Sequence, residues 1–256
     1  MERFYWSLSS GSQFKTARIL NYPYCLINFM SQTNNPPKHD LKSVWVDCGG
    51  FHSSLKEGHY TKTDQEYLEY IEKHQPEFFA LRDYPCEPEL MKKHNVNPRI
   101  QIQRTLENHL KLLDLLENYN IKSTPVPVLQ GWILEDYLYS IDLYNEHNLI
   151  MPYMAIGSVC RRNKTKQIIK IITKVKEKLG DDIRLHGFGV KISALKNKAC
   201  FDALWSVDSG AWDYEARWRK FRGELSVPDA SLIVAQEHLE KYDKIVCRHN
   251  EQMVLI

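Results

Sequence analysis

Short apolar runs alternate with amphipathic segments along most of the chain. Eight runs have the length and composition of buried strands, namely Phe4–Leu8, Tyr24–Phe29, Val44–Val46, Glu77–Leu81, Pro125–Leu129, Tyr153–Ile156, Arg184–Phe188 and Ala203–Val207. Apolar residues at helical spacing predict helices over Arg99–Tyr119 and Thr165–Leu179. Further helices are predicted over Tyr60–His74, Leu134–His147 and Pro228–Tyr242, where Pro228 would occupy the first turn.

This alternation of strands and helices is typical of a parallel sheet covered by helices. Eight strands in 256 residues fit a single-domain α/β fold of the (β/α)₈ TIM-barrel type over residues 1–256. A doubly wound open sheet is the alternative, because hydrophobic periodicity does not show whether a sheet closes.

The composition is that of an ordinary soluble globular protein, with 43% hydrophobic and 26% charged residues. No apolar stretch approaches the ~20 residues of a membrane-spanning helix, and the N-terminus lacks the layout of a signal peptide. The six cysteines are widely spaced, form no CxxC pair and give no recognisable zinc spacing. We therefore expect a cytoplasmic protein with reduced cysteines and no bound metal.

The net charge of +2 hides a strongly basic segment. Between Arg161 and Cys200 the chain carries twelve Lys or Arg residues against three acids. Such a local excess favours a polyanionic partner, most often nucleic acid. The alternative is a set of solvated, lysine-rich helix faces.

Polar and small residues cluster where the predicted strands end. Asp47, Asp83 and Asp208 each follow an apolar run, as do the pairs Gln130-Gly131 and Gly157-Ser158. A barrel would bring these strand ends to one mouth, where barrel enzymes build their active sites; separate helix caps are the alternative. Convergent carboxylates suit either a hard metal ion or glycosyl transfer, in which one acid attacks the sugar and another moves a proton. Their spacing does not separate the two chemistries.

Five short motifs occur in the order used by tRNA-guanine transglycosylases. They are VDCGGF (46–51), LQGW (129–132), AIGSV (155–159), LHGFG (185–189) and SVDSGAW (206–212), and they span about residues 44–212. The chain thus resembles that family over most of its length. The resemblance implies a (β/α)₈ barrel, in agreement with the pattern of strands and helices.

The resemblance also implies roles for individual residues. Asp208 resembles the nucleophile that attacks C1′ of the target nucleoside, and Asp47 the general acid/base. The expected base-binding residues are Asp83, Gln130, Gly131, Gly157, Ser158, Val159, Phe51 and His186, with Phe51 and His186 stacking on the two faces of the purine. Flanking phosphates would contact the start of the basic segment, at Arg161, Arg162, Lys164 and Lys166. No cofactor is implied.

Two departures from the tRNA enzymes change the expected substrate. No CxCxxC…His zinc pattern follows Asp208, so the zinc subdomain is expected to be missing, and Cys48 and Ser158 replace the usual Ser and Gly. The Asp-Ser-x-x-Trp ending is more similar to DNA-acting relatives from phages and bacterial modification clusters. We therefore expect a guanine transglycosylase that inserts a 7-deazaguanine base into DNA, in a bacterial or phage-infected cell, with accessory modification proteins as further candidate partners.

Three alternatives remain open. The first is a tRNA substrate, and the second is a non-catalytic subunit that only binds nucleic acid. The third is a metal-dependent hydrolase with Asp47, Asp83 and Asp208 as ligands.

Overall fold

A computed structural model describes residues 1–31, 35–36, 40–225 and 230–254. The strands are β1 (Arg3–Leu8), β2 (Tyr24–Asn28), β3 (Ser43–Asp47), β4 (Phe78–Ala80), β5 (Thr124–Val126), β6 (Val128–Leu129), β7 (Tyr153–Ile156), β8 (Arg184–Gly187) and β9 (Ser206–Ser209). The helices are α1 (Gly11–Ile19), α2 (Gly50–Lys56), α3 (Asp64–His74), α4 (Pro88–His94), α5 (Pro98–Leu116), α6 (Leu134–Glu146), α7 (Thr165–Leu179), α8 (Ile192–Leu195), α9 (Lys198–Ala203), α10 (Ala211–Phe221) and α11 (Ala230–Val254).

Within the described residues, nine parallel strands form one sheet in the order β5-β4-β3-β2-β1-β9-β8-β7-β6. Its two end strands, β5 and β6, are separated along the chain by Pro127 alone. Proline has no N–H to give to a strand ladder, so it divides one strand into two pieces. One piece pairs with β4 and the other with β7, which brings the sheet round into a barrel. The predicted single-domain TIM-type barrel is confirmed, and the open sheet is excluded.

Several element boundaries differ from the sequence prediction, and two of the differences have a clear structural reason. The last strand begins at Ser206 rather than Ala203, because residues up to Ala203 belong to α9. Helix α3 begins at Asp64 rather than Tyr60, since the Thr63 side chain accepts a hydrogen bond from the Glu66 backbone N–H and caps the helix there. Pro228 lies outside the described residues, and α11 is described from Ala230 to Val254.

Aromatic side chains fill the barrel interior below the mouth. Trp45 of β3 is fully buried and stacks on the ring of His186 of β8, with 4.1 Å between centroids. Phe78 of β4 stacks on the Trp45 ring at 5.0 Å, and Tyr5 of β1 meets the same indole edge-on. This layer closes the centre of the barrel, so any ligand must bind above it, at the carboxyl ends of the strands.

Three buried tyrosines tie the helices to these strand ends. The Tyr67 hydroxyl of α3 donates to Ala80 O, the Tyr137 hydroxyl of α6 to Gly157 O, and the Tyr144 hydroxyl of α6 to Val128 O, each at 2.8 Å. All three side chains are fully buried. Each bond therefore satisfies a strand carbonyl that has no access to water.

Two further features bear on the sequence expectations. Among the described residues, no helix is long and apolar enough to cross a membrane. All six cysteines are free thiols, and four of them, Cys25, Cys48, Cys86 and Cys200, are buried.

Removal of one tyrosine hydroxyl tests these ties. Tyr144→Phe leaves Val128 O without its donor and should lower the free energy of unfolding by about 1–3 kcal/mol. The melting temperature should fall by about 2–8 °C, as measured by calorimetry. Tyr139→Phe, the same change on the same helix at a partly exposed position, is the matched control and should leave the melting temperature unchanged. Equal melting temperatures for the two variants would contradict the proposed tie.

Candidate active site

A cavity of about 260 Å³ opens at the carboxyl ends of the strands. Its lining comes from almost every strand end of the barrel and includes Ser7, Asn28, Asp47, Phe51, Asp83, Glu87, Gln130, Gly157, Ser158, Cys160, Phe188, Gly189 and Asp208. The three acids that the sequence places after strands therefore line one cavity. The alternative that they are unrelated helix caps is excluded for all three.

Asp208 of β9 is 5% exposed and held by donors on both carboxylate oxygens. Oδ2 accepts a hydrogen bond from the Ser7 hydroxyl, and Oδ1 accepts one from the Gly189 backbone N–H at 2.8 Å. Nε2 of His186 lies 3.4 Å from Oδ1. Burial lowers the pKa of His186, so a neutral imidazole lies beneath the carboxylate.

Asp47 ends β3 on another side of the cavity. Its Oδ2 accepts from the Asn28 side-chain amide at 2.7 Å, and its Oδ1 accepts from the Gly49 N–H at 3.2 Å. Burial raises the pKa of Asp47 to about 7, with the negative charge of Asp83 adding to the effect. This carboxyl can therefore both hold and release a proton near neutral pH.

Asp83, in the loop after β4, is surrounded by donors. The Cys48 thiol donates to its Oδ1 at 3.0 Å, and the Gln130 side-chain amide donates to its Oδ2. The Tyr60 hydroxyl fixes the backbone by donating to Asp83 O at 2.7 Å and accepting from its N–H at 3.1 Å. Burial raises the pKa of this carboxyl. Cys48, which stands where the tRNA enzymes have Ser, thus orients a second acid.

The hydrogen-bond network continues from Asp83 through Gln130 to Ser158 and Glu87. The Ser158 hydroxyl lies 2.7 Å from Gln130 Oε1 and 2.9 Å from Glu87 Oε2, and it accepts from the Cys86 N–H. One hydroxyl hydrogen cannot serve both oxygens at once. Burial raises the pKa of Glu87 to about 6, so a protonated Glu87 can donate to Ser158, which then donates to Gln130.

Two glycines make room for this network. A Cβ on Gly157 would lie 2.2 Å from the side-chain nitrogen of Gln130. A Cβ on Gly50 would lie 2.6 Å from both the backbone and the side-chain oxygen of Asp83. Both contacts are shorter than atoms tolerate, so any larger residue would displace the polar groups that line the cavity.

The structure changes one of the expected stacking partners. Phe51 lines the cavity, as expected, and Arg161 lies over its ring at 4.4 Å. His186 does not line it: the ring is 1% exposed, stacked on Trp45, and its Nδ1 lies 2.7 Å from the Ser206 hydroxyl. The second aromatic wall is Phe188, which is two residues further along and beyond the end of the strand.

Other expected site residues lie away from the cavity. Gly131 packs against Asp136 and Tyr137 of α6, and the Val159 side chain is fully buried in the core. Arg162 is 4% exposed, and its guanidinium donates to Ser158 O at 3.1 Å and Trp132 O at 2.5 Å. These hydrogen bonds hold the loop after β7 in place, so the Arg162 guanidinium is not available to bind a phosphate.

Of the other expected phosphate contacts, Arg161 is paired with Glu89 at 2.6 Å, whereas Lys164 and Lys166 are exposed. Sequence reasoning missed Ser7, Asn28, Glu87 and Phe188 as cavity residues. Ser7 and Asn28 did carry a signal, because each is a polar residue near the end of an apolar strand. Glu87 carried none.

Among residues 1–31, 35–36, 40–225 and 230–254, no group of three or more His, Cys, Asp and Glu side chains could hold a metal ion. The metal-dependent alternative therefore gains no support from the geometry of Asp47, Asp83 and Asp208.

A family model described as DpdA, DeoxyPurine in DNA protein A, matches residues 25–226. The chain belongs to this family. The matched range runs from β2 to just beyond α10 and contains Asp47, Asp83 and Asp208. DpdA proteins are a family of DNA deazaguanine transglycosylases similar to the tRNA-guanine transglycosylases, which agrees with the expected relationship. No individual curated protein matches the chain.

The raised pKa of Asp47 predicts a specific pH dependence of stability. In the folded protein this pKa is about 7, against an ordinary 3.8. Its proton therefore stabilises the fold fully below about pH 4, and this stability is lost as the pH rises through 7. The Asn side chain of Asp47→Asn does not ionise. The melting temperature of this variant minus that of the wild type should therefore increase between about pH 4 and pH 8.

The control is Asp114→Asn, at an exposed aspartate on α5. The difference between its melting temperature and that of the wild type should be the same at every pH in this range. A flat difference for Asp47→Asn as well would show that Asp47 titrates as an ordinary carboxyl.

Proposed function

We propose that this protein exchanges guanine in DNA for a 7-deazaguanine base through a covalent aspartyl-sugar intermediate. The observation that carries the proposal is the pairing of Asp208 and Asp47 in one cavity with the Asp83–Gln130–Ser158 network. Asp208 is oriented by donors and sits on a rigid strand, whereas Asp47 holds or releases a proton near pH 7. A glycosyl transfer with retention needs these two roles.

The first step breaks the bond between guanine and its sugar. A carboxylate oxygen of Asp208 attacks C1′ from the face opposite the base, and the electrons of the C1′–N9 bond pass to the guanine. The protonated Asp47 gives its proton to the departing base. The products of this step are free guanine, ionised Asp47 and a DNA sugar esterified to Asp208.

The second step reverses the first with a different base. Ionised Asp47 removes the N9 proton of the incoming 7-deazaguanine, whose N9 attacks C1′ and displaces the Asp208 carboxylate. Two inversions restore the original configuration at C1′. Asp47 returns to its protonated state, so the cycle needs no net proton and no cofactor.

The hydrogen-bond network supplies the means to recognise a purine. Asp83, Gln130 and Ser158 offer donors and acceptors along one wall of the cavity, which suits the polar edge of a guanine-type base. Phe51 and Phe188 offer aromatic surfaces to its faces. A base inside a duplex cannot reach such a cavity, so the target nucleotide must be flipped out of the stack.

DNA is the favoured polymer because the family is one that acts on DNA. Transfer RNA is the competing substrate, and a non-catalytic subunit is the competing role. Incubation with labelled guanine separates them: label in DNA supports the proposal, label in tRNA alone replaces the substrate, and label in neither removes the activity.

Replacement of the nucleophile is the sharpest mechanistic test. Asp208→Asn should lower base exchange by at least about 10³-fold, because an amide does not form the ester. It should also abolish the protein–DNA adduct trapped by denaturation in the absence of free base. Asp202→Asn, an exposed acid on α9, should retain both. An adduct that survives Asp208→Asn would identify another nucleophile.

The aromatic wall gives a second test. Phe188→Leu removes a ring but keeps an apolar side chain, and loss of one stacking contact should raise the KM for the free base by about 10-fold. Phe221→Leu, at a position 81% exposed on α10, is the matched control and should leave KM unchanged. A KM for Phe188→Leu equal to that of the control would remove this residue from the base site.

A further inference from the structure

A second cavity, of about 470 Å³, lies between α8 and the C-terminal part of α11. Its lining residues are Ile192, Ser193, Lys196, Lys241, Lys244, Ile245, Arg248 and His249. Four of the eight are lysine or arginine, and among these described lining residues there is no acid. We call this the basic cavity.

The cations of the basic cavity are less neutralised than several lysines of the basic segment and its flanks. Lys174, Lys178 and Lys198 each pair with a nearby carboxylate on the surface. By contrast, no ion pair within the described part of the chain involves Lys196, Lys244 or Arg248.

The fourth cation, Lys241, is only weakly paired. Its ammonium lies 3.9 Å from Glu215, whose carboxylate is closer to His238 at 2.7 Å and Arg219 at 3.1 Å. Uncompensated like charges around one cavity repel one another, and an anion between them relieves that repulsion.

His249 adds a buried polar group at the same place. The side chain is 3% exposed, and its Nε2 lies 2.9 Å from Leu195 O, so Nε2 carries a hydrogen. Nδ1 is buried and has no hydrogen-bond partner among the residues that the structure describes. A buried polar nitrogen without a partner costs free energy. A polar ligand in the basic cavity would give Nδ1 the hydrogen-bond partner that it lacks.

The basic cavity is a close neighbour of the catalytic cavity along the chain. Phe188 and Gly189, which follow β8, line the catalytic cavity, and Ile192 and Ser193 line the basic one. Gly189 also donates to Asp208. Consecutive Cα atoms are 3.8 Å apart, so those of Gly189 and Ile192 are separated by at most about 11 Å. That distance is covered by about three nucleotides of one strand at 3.4 Å of helix axis each.

The cations on α11 form a row rather than a single pocket. Lys241, Lys244 and Arg248 are spaced three and four residues apart, so they share one face of the helix. From the first to the last the row extends about 10 Å. A row of this length suits several phosphates in succession better than one small anion.

We propose that the basic cavity binds backbone phosphates of the DNA strand whose target nucleotide enters the catalytic cavity. This inference rests on the proposed function for the identity of the polymer. The basic cavity takes the place of Arg162 as a predicted phosphate contact, because Arg162 is buried. It is also separate from the exposed residues Lys164 and Lys166. The strand would pass from the basic row on α11, across the loop after β8, to Asp208.

The test is DNA binding as a function of salt. Binding of a fluorescent duplex of about 20 base pairs is measured by anisotropy between about 50 and 300 mM NaCl. All proteins carry Asp208→Asn so that no covalent adduct forms. The double variant Lys244→Gln/Arg248→Gln removes two cations of the row and keeps side chains that favour a helix. Lys196→Gln removes one cation from the opposite wall.

The matched control is Lys73→Gln/Lys122→Gln, which removes two exposed lysines at the opposite end of the barrel. For Lys244→Gln/Arg248→Gln we expect at least about 10-fold weaker binding near 100 mM salt and a salt slope lower by about 2. Lys196→Gln should lower the slope by about 1. The control should match the parent protein.

Each other outcome overturns the proposal in a distinct way. Affinities and slopes equal to those of the control would mean that DNA does not enter the basic cavity. Calorimetric titration with inorganic phosphate covers the remaining source of the anion: phosphate binding that is lost in the double variant while DNA binding is unchanged would assign a small-anion site. Because binding is measured without base exchange, weaker DNA binding by the double variant would support the cavity even if the labelled-guanine assay failed.

Discussion

The structure depends on enclosing three carboxyl groups, two of them buried and one half-buried, at the mouth of one barrel. Closure of the sheet at Pro127 forces the ends of β3, β4 and β9 toward one mouth, and the aromatic layer beneath them excludes water. Buried carboxylates are costly unless each has donors and their charges are kept apart. The residues around the mouth meet this requirement. Ser7, Asn28, Cys48 and Gln130 each donate to one of the three acids.

The surroundings of Asp208 and Asp47 differ in the way that the proposed mechanism requires. Asp208 sits on a rigid strand with a backbone N–H and a hydroxyl on its two oxygens, an arrangement that orients an anion for attack. Asp47 has the longer backbone contact, at 3.2 Å. Burial, with the negative charge of Asp83 as a smaller contribution, raises its pKa to about 7. Two carboxyl groups in different surroundings suit the two roles of the proposed mechanism, because different surroundings are the usual way that one site combines a nucleophile with a proton carrier.

The sequence predicted the barrel and the positions of the acids, because both follow from local patterns. Apolar runs mark strands, and a polar residue after each run marks the carboxyl end. It did not predict which aromatic residue lines the cavity. Alternation along a strand does not tell whether an inward side chain belongs to the buried layer, as His186 does, or to the mouth, as Phe188 does. That distinction depends on the depth of each strand within the closed barrel.

The basic segment shows the same limit for charge. Its twelve cations lie within about forty residues of one another in the sequence, but folding gives them different surroundings. Arg162 is buried against backbone carbonyls, and Lys176 donates to the carbonyl oxygens of Gly180, Asp181 and Ile183 after α7. Lys196 instead faces cations from α11, some fifty residues later in the chain. Such a cluster has no signature in a local count of charges.

The two residues that differ from the tRNA enzymes, Cys48 and Ser158, belong to one hydrogen-bond network. Cys48 donates to Asp83, and Ser158 connects Gln130 with Glu87. A thiol is a weaker donor than a hydroxyl, so it stabilises the ionised form of Asp83 less, in the same direction as burial. Ser158 has a positive φ of 52°, a conformation that favours glycine. Its hydroxyl gives what a glycine lacks, a connection from the Gln130 amide to the buried acid Glu87. Both changes therefore alter the polar wall that we propose contacts the base, and neither involves a direct hydrogen bond to Asp208 or Asp47.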